Sequence, residues 1–211
     1  MANAFVSHSY IKNLSEAQNH VRYIAFRGRE TEDERGGIFS EKSDVADVKN
    51  FIKKLDDKKT SHPDVAVAHR LLFSMSGDEW NKSGFGEGDY QKMIRNVMKD
   101  YELKTGRKLE WVAAEHRNPD HPHVHVAVKA TYQDKDGIHH RLKISNEDRK
   151  FFKQAFQQEK NMLRGFELEQ HKERPYEQNR PSRGNADFID NLFRQIEREM
   201  REKEREYERG R

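Results

Sequence analysis

The sequence predicts an α+β fold, with helices packed on an antiparallel or mixed sheet. Three observations lead there: segments whose apolar residues recur with the period of a strand, segments with helical apolar spacing, and their order along the chain, β-α-α-β-α-β-β-β-α. Apolar residues make up 33% of the 211 and charged residues 36%. A core therefore requires the apolar residues to be concentrated, as they are between about residues 4 and 170.

Residues 4–11 (Ala-Phe-Val-Ser-His-Ser-Tyr-Ile) read as the first strand. A helix follows from about Ser15, a good N-cap, to Phe26, with Gly28 just past its end. The polar stretch 29–43, with Arg35-Gly36-Gly37, reads as loop. Asp44 opens a second helix carrying Val45, Val48, Phe51, Ile52 and Leu55. From Val65 to Met75 the residues Val67, His69, Leu71, Phe73 and Met75 share one face of a strand, with Arg70, Leu72 and Ser74 on the other. Four glycines in 76–88 make that stretch a loop.

Tyr90, Met93, Ile94, Val97, Met98 and Tyr101 then mark an amphipathic helix that stops at Gly106. Leu109–His116 and His123–Thr131 are strands joined by the turn-rich Arg-Asn-Pro-Asp-His-Pro, and His139–Ile144 adds another. Ser145 with Asp148 resembles a capping box at the start of a helix holding Phe151, Phe152, Ala155 and Phe156. Beyond about His171 the composition changes. Residues 171–186 read as a linker, and 187–211 as a charged helical extension with pairs such as Glu197–Arg201 and Glu199–Lys203. That ending suggests a natural chain that continues.

The chain has no cysteine, which excludes disulfides and thiolate metal sites; a metal would be held by His, Asp or Glu. The N-terminus lacks the pattern of a signal peptide, and no apolar run reaches the length of a membrane span, so a cytoplasmic protein without membrane insertion is expected. A formal charge of +3, spread in mixed sign, singles out no DNA-binding face.

Four of the eleven histidines fall in Glu115-His116-Arg117-Asn118-Pro119-Asp120-His121-Pro122-His123-Val124-His125. On a strand, residues two apart face the same way, so His123 and His125 project side by side while Val124 turns into the core. Antiparallel pairing of 109–116 with this strand would return His116 to the same edge. Three neutral imidazoles converging with open positions form a catalytic type of metal site. His121, in the loop, is a second-shell candidate, a DNA contact, or the third ligand in place of His116. Asp120 and Glu115 are also candidates, although strand parity turns Glu115 away from His116. A His-x-His pair occurs in other zinc enzymes, so the spacing names a metal site and not a reaction.

The second element is Asn19-His20-Val21-Arg22-Tyr23-Ile24-Ala25-Phe26-Arg27-Gly28-Arg29. Leu14, Ala17, Val21, Ile24 and Ala25 form the packed stripe of the first helix, which leaves Tyr23 beside it with His20 and Arg27 as basic neighbours.

Arg-Tyr-Ile-Ala-Phe-Arg-Gly followed by His-Arg-Asn-Pro-Asp-His-Pro-His-Val-His-Val resembles the relaxases of the HUH endonuclease class, which nick plasmid transfer origins. The likeness is nearest to the type that processes T-DNA borders of Ti plasmids and to mobilisation proteins. It covers roughly residues 4–170 and rests on the two motifs. The tyrosine precedes the histidines, as in relaxases; rolling-circle initiators have the reverse order. One departure is visible: the family type carries an Asp two residues after the first histidine, where this chain has Asn118. That leaves Asp120 or Glu115 to orient a histidine ligand.

The resemblance implies an RRM-like two-layer α+β sandwich with a metal on the face of a central antiparallel sheet, spanning 1–170. It implies that Tyr23 attacks DNA to leave a 5′-phosphotyrosine and a free 3′-hydroxyl, and that one divalent ion (Mn or Mg; Zn, Co or Ni by ligand softness) sits on His116, His123 and His125. The implied partners are single-stranded or supercoiled origin-of-transfer DNA, relaxosome accessory proteins and a coupling protein. Arg22, Arg27, Arg29, Arg70 and Lys129 are candidate phosphate contacts, and Trp80, Phe85 and Trp111 candidate base-stacking platforms. Two rivals remain: a metal-binding DNA-binding or replication accessory protein that uses no tyrosine, and a metal-dependent nuclease that attacks with water.

Overall fold

A computed structural model describes residues 4–27, 38–116 and 121–164. In chain order the elements are β1 (Phe5–Ile11), α1 (Leu14–Arg27), β2 (Phe39–Ser40), α2 (Val48–Lys54), β3 (Ala68–Ser74), α3 (Gly77–Ser83), α4 (Asp89–Thr105), β4 (Lys108–His116), β5 (His123–Gln133), β6 (His139–Arg141) and α5 (Asn146–Leu163). The strands form one sheet in the order β1-β3-β5-β4-β2, with β6 pairing the far end of β5, and every pairing is antiparallel. The central antiparallel sheet of the expected α+β fold is thus present, with β5 at its middle.

β5 is buried at nine consecutive positions, which a strand achieves only when both faces are covered. On one face Leu71, Phe73, Val124, Val126 and Val128 pack with Tyr90, Met93, Val97 and Tyr101 of α4 and Phe152 and Phe156 of α5. On the other, Ala68, Val112, Ala114 and Ala127 pack with Ala17, Val21 and Ile24 of α1 and Phe51 and Ile52 of α2. The second pair of helices adds a layer to the two-layer reading.

Several boundaries differ from expectation for local reasons. Asn13, not Ser15, caps α1, its Oδ1 accepting from the Glu16 amide at 3.0 Å. Asp47 caps α2, accepting from the Asn50 amide at 3.0 Å, so the helix starts after Asp44 and leaves Val45 81% exposed. The glycine-rich stretch 76–88 contains α3, because Ser76 accepts from the Glu79 amide and Gly84 ends the helix at φ 68°. Phe39–Ser40 pairs with β4 inside the expected 29–43 loop.

The predicted capping box on α5 is formed by Ser145 and Asp148. The fully buried Lys160 of α5 reaches Glu79 of α3 at 2.6 Å. Among the described residues no helix is long and apolar enough to cross a membrane. The expected linker at 171–186 and helix at 187–211 lie outside the described residues.

Candidate metal centre

β4 ends and β5 begins on histidines, and the ladder aligns them: His116 lies opposite His123, and Ala114 opposite His125. On the other side of β5, His125 pairs with Leu72 and His123 with Ser74 of β3. Parity then puts all three imidazoles on the sheet face that α1 covers. Their ring centroids are 5.2 Å (His116–His123), 4.8 Å (His116–His125) and 5.0 Å (His123–His125) apart. One nitrogen from each lies within 4.8 Å of the others.

His123 Nδ1 is 2.7 Å from the His121 carbonyl oxygen. A carbonyl only accepts, so Nδ1 carries the proton and Nε2 keeps its lone pair for the cluster. His125 has a pKa well below the usual imidazole value, first through burial and then through the charges of His123, His116, His20 and Arg70. It stays neutral near pH 7, the form that ligates. Three convergent imidazole nitrogens fit a divalent ion of borderline softness.

His121 contributes its backbone carbonyl to this arrangement. Glu115 pairs with Val124 and is buried on the opposite face, away from the three rings. Asp120 and Asn118 lie outside the described residues.

His20, expected beside the packed stripe of α1 with Tyr23 and Arg27, is instead 3% exposed and faces the sheet. Its ring stands edge-on to His125 at 6.4 Å and 77°. Burial, followed by the charges of Arg70 and His116, lowers its pKa to about 3. The signal was in the spacing: His20 follows Ala17 by three and precedes Ile24 by four, so it belongs to the stripe.

Tyr23, one turn along, is half-buried, its ring packed against the core of the α1–α2 layer. The other described tyrosines belong to the far side of the sheet. Tyr10, 55% exposed, pairs with His69 and shares the parity of Val6, which packs against the α4–α5 core. Tyr90 is buried and donates to the Pro122 carbonyl at 2.6 Å, Tyr101 bonds Arg107 at 3.0 Å, and Tyr132 stacks on His140. Tyr176 and Tyr207 lie outside the described residues.

Of the candidate phosphate contacts, Arg70 shares the histidine face, paired across the ladder with Ala127, and its Nε donates to Ser9 Oγ at 2.9 Å. Arg22 is exposed and bonds Asn19 at 2.8 Å. Lys129 corrects the expectation: it is 7% exposed and bridges Asp57 at 2.8 Å and Glu110 at 3.7 Å, so its charge is spent inside the fold. The Arg27 side chain and Arg29 lie outside the described residues. Trp111 and Phe85 are core residues, and Trp80 stacks on Tyr90 at 4.7 Å, so none presents an open platform.

A family model for the MobA/VirD2-like relaxase nuclease domain matches residues 23–162. No curated protein matches the sequence. Among solved structures, the chain resembles the copper-bound complex of the conjugative relaxase TrwC with oriT DNA, with a TM-score of 0.57 and 13% identity over 75% of this chain and 69% of that one. TrwC with a 27-mer DNA comprising the recognition hairpin and the cleavage site gives a TM-score of 0.53 and 14% identity over 75% and 68% of the two chains. A structure described as the molecular basis of vancomycin resistance transfer in Staphylococcus aureus gives 0.52 and 12%, over 77% and 92%. At these identities the likeness is one of fold.

Proposed function

The chain belongs to the MobA/VirD2-like relaxase nuclease-domain family, and from that premise we propose that it nicks one strand of a transfer-origin DNA by tyrosine transesterification. The observation that carries this reading is an arrangement of two elements. Three convergent imidazoles lie on one sheet face, and the helix over that face bears Tyr23, the one tyrosine on that side among the described residues.

The Tyr23 hydroxyl gives up its proton as its oxygen attacks the scissile phosphorus in line, the bond from phosphorus to the 3′ oxygen breaks, and that oxygen takes up a proton to leave as a 3′-hydroxyl. The products are a 5′-phosphotyrosyl adduct and a free end. One phosphodiester replaces another of similar energy, so the 3′-hydroxyl can reverse the step and rejoin the strand. His116, His123 and His125 would hold a divalent ion, Mn or Mg in the cell, with Zn, Co or Ni also suited to imidazole. Bound there, such an ion would polarise the phosphate and offset the charge that builds on its oxygens. Arg70 and Arg22 offer cationic contacts to the strand, the substrate being single-stranded or supercoiled origin DNA. Residues 1–170 carry this activity, and accessory and coupling proteins of a transfer complex are its expected partners.

The test is incubation of the protein with single-stranded oligonucleotides from its own genetic neighbourhood in Mn, followed by denaturing electrophoresis. A protein–DNA adduct that survives SDS and disappears with Tyr23→Phe supports the proposal. Cleavage without an adduct would assign the chain to water-using nucleases, and binding without cleavage to accessory proteins.

A further inference from the structure

We propose that His20 is a substrate-positioning residue of this site, its imidazole N–H donating a hydrogen bond to a non-bridging oxygen of the phosphate that the histidine face receives. The inference rests on the nicking reading above and goes beyond it, because neither the tyrosine nor the metal ligands require a fourth histidine.

The position itself is anomalous. In α1 the residues that face the sheet are Ala17, Val21 and Ile24, and His20 stands among them where an apolar side chain would continue the stripe. Both of its ring nitrogens are buried, and neither has a hydrogen-bond partner among the described residues. Two other buried histidines do find partners in the fold. His69 uses both nitrogens, one with His8 at 3.0 Å and one with the Leu142 carbonyl at 3.1 Å, and His123 donates to the His121 carbonyl. Buried polar groups nearly always have partners, so an imidazole kept without one in a packed helix face points to a partner that arrives with a ligand.

The geometry says which ligand. The three clustered rings are 4.8–5.2 Å from one another, whereas His20 stands 6.4 Å from His125 and is not part of the group whose nitrogens converge. Its ring stands edge-on to that of His125, beside the converging group and not within it. The charge of Arg70 acts on both His20 and His125, so the surroundings favour an anion. Tyr23 follows His20 by three residues on the same rigid helix, about 4.5 Å along its axis. α1 therefore fixes the distance between a nucleophile and a hydrogen-bond donor, and holds both against the face that presents the imidazoles. A donor held in advance beside a phosphate oxygen acts most strongly where charge builds up during attack.

The experiment compares wild type with His20→Phe, which fills the volume without a donor, and His20→Gln, which keeps an N–H. Adduct formation at saturating Mn should slow on the order of 10²-fold in His20→Phe and recover most of its rate in His20→Gln. The melting temperature of His20→Phe should not fall, because the substitution removes a buried polar group that the fold leaves unsatisfied. A large drop in melting temperature with a parallel rate loss in both variants would make His20 structural and overturn the proposal. Mn affinity by calorimetry should be unchanged in His20→Phe, and a loss of tenfold or more would make His20 a ligand of the ion instead. Long-range ¹H–¹⁵N spectra of the Tyr23→Phe protein in EDTA should show His20 resonances, assigned by their loss in His20→Phe, moving when the oligonucleotide is added. Unmoved resonances would overturn the proposal without any appeal to activity. Absence of an adduct in wild type would sink the nicking reading; an adduct in wild type with an unchanged rate in His20→Phe would sink only the role of His20.

Discussion

His116 and His123 lie directly opposite each other across the β4–β5 ladder, their rings 5.2 Å apart, at the mouth of the loop that joins the two strands. The register that aligns them is held from behind, by Val124 and Val126 packed into the α4–α5 core. A one-residue slip would exchange the two faces, sending Val124 out and the imidazoles in. The site is therefore as stable as the sheet, and its side chains can be changed without touching what sets their positions.

His125→Ala should abolish metal binding while leaving the sheet intact. Loss of one of three donors is expected to weaken Mn or Ni binding by at least 10²-fold, more than the 10–100-fold typical of second-shell changes. Calorimetry with the wild type alongside checks this, and a near-UV circular dichroism spectrum like that of wild type checks the fold. Retention of wild-type affinity would place the ion elsewhere. EDTA should stop nicking by the wild-type protein for the same reason.

Tyr23→Phe removes one oxygen from a half-buried ring whose packing against the α1–α2 core is carried by carbon. Stability should change by less than about 1 kcal/mol. Metal binding and single-strand binding should persist, and the SDS-resistant adduct should vanish. Peptide mapping offers an independent check. DNA found on Tyr10 would contradict the parity argument, since that residue belongs to the face opposite the imidazoles.

Much of this was legible in the sequence because strand parity is strict. Alternation alone set His123 beside His125 and turned Glu115 away, and the short connection from β4 to β5 brought His116 back. Helix faces were harder to read, because 3.6 residues per turn leave borderline positions. His20 has the spacing of the stripe but a polar side chain, and Tyr23 sits at its edge; packing buries the first against the sheet and leaves the second half-buried. Long-range pairing was not readable at all. Nothing local says that Lys129 meets Asp57, seventy-two residues away, or that glycines 77 and 84 bracket a helix. The second helical layer went unseen for the same reason: Ala114 and Ala127 look neutral one at a time, and become a binding surface for α1 only when the strands pair.

Stability should fall as pH drops below about 6.5, partly through His8. Its Nε2 donates to His69 Nδ1, because His69 Nε2 carries the proton given to the Leu142 carbonyl. Burial, then the neighbouring charges of His69 and Arg149, lowers the His8 pKa from 6.5 to about 4, and burial lowers that of His69. The unfolded chain takes up protons below about 6.5 that the folded chain refuses until about 4. Stability is therefore full above the upper value and lost progressively towards the lower one. His8→Gln removes this titration. Melting temperatures measured from pH 7 to pH 4 should decline less steeply for the variant than for wild type, although other buried histidines still titrate in both. Parallel curves would show that His8 is not the source.

The ion pair between Lys160 and Glu79 should respond unequally to loss of its two ends. Lys160 is fully buried on α5, whereas Glu79 on α3 also has Arg164 at 3.6 Å. Glu79→Met takes a carboxylate partner from a fully buried ammonium group, and breaking a buried pair by removing one partner costs about 3–5 kcal/mol. Lys160→Met leaves Glu79 facing the Arg164 guanidinium, which is nearer the surface, so its cost should be smaller, roughly 1–2 kcal/mol on the same scale. Replacing both by methionine removes the charges together and should be less harmful than Glu79→Met alone, because no buried charge is then deprived of this partner. Urea unfolding of the two single variants and the double variant measures all three values, and a double-mutant cycle gives the coupling. If the two single variants cost the same and the double variant costs their sum, the pair is not coupled, and α3 is held to α5 by packing alone.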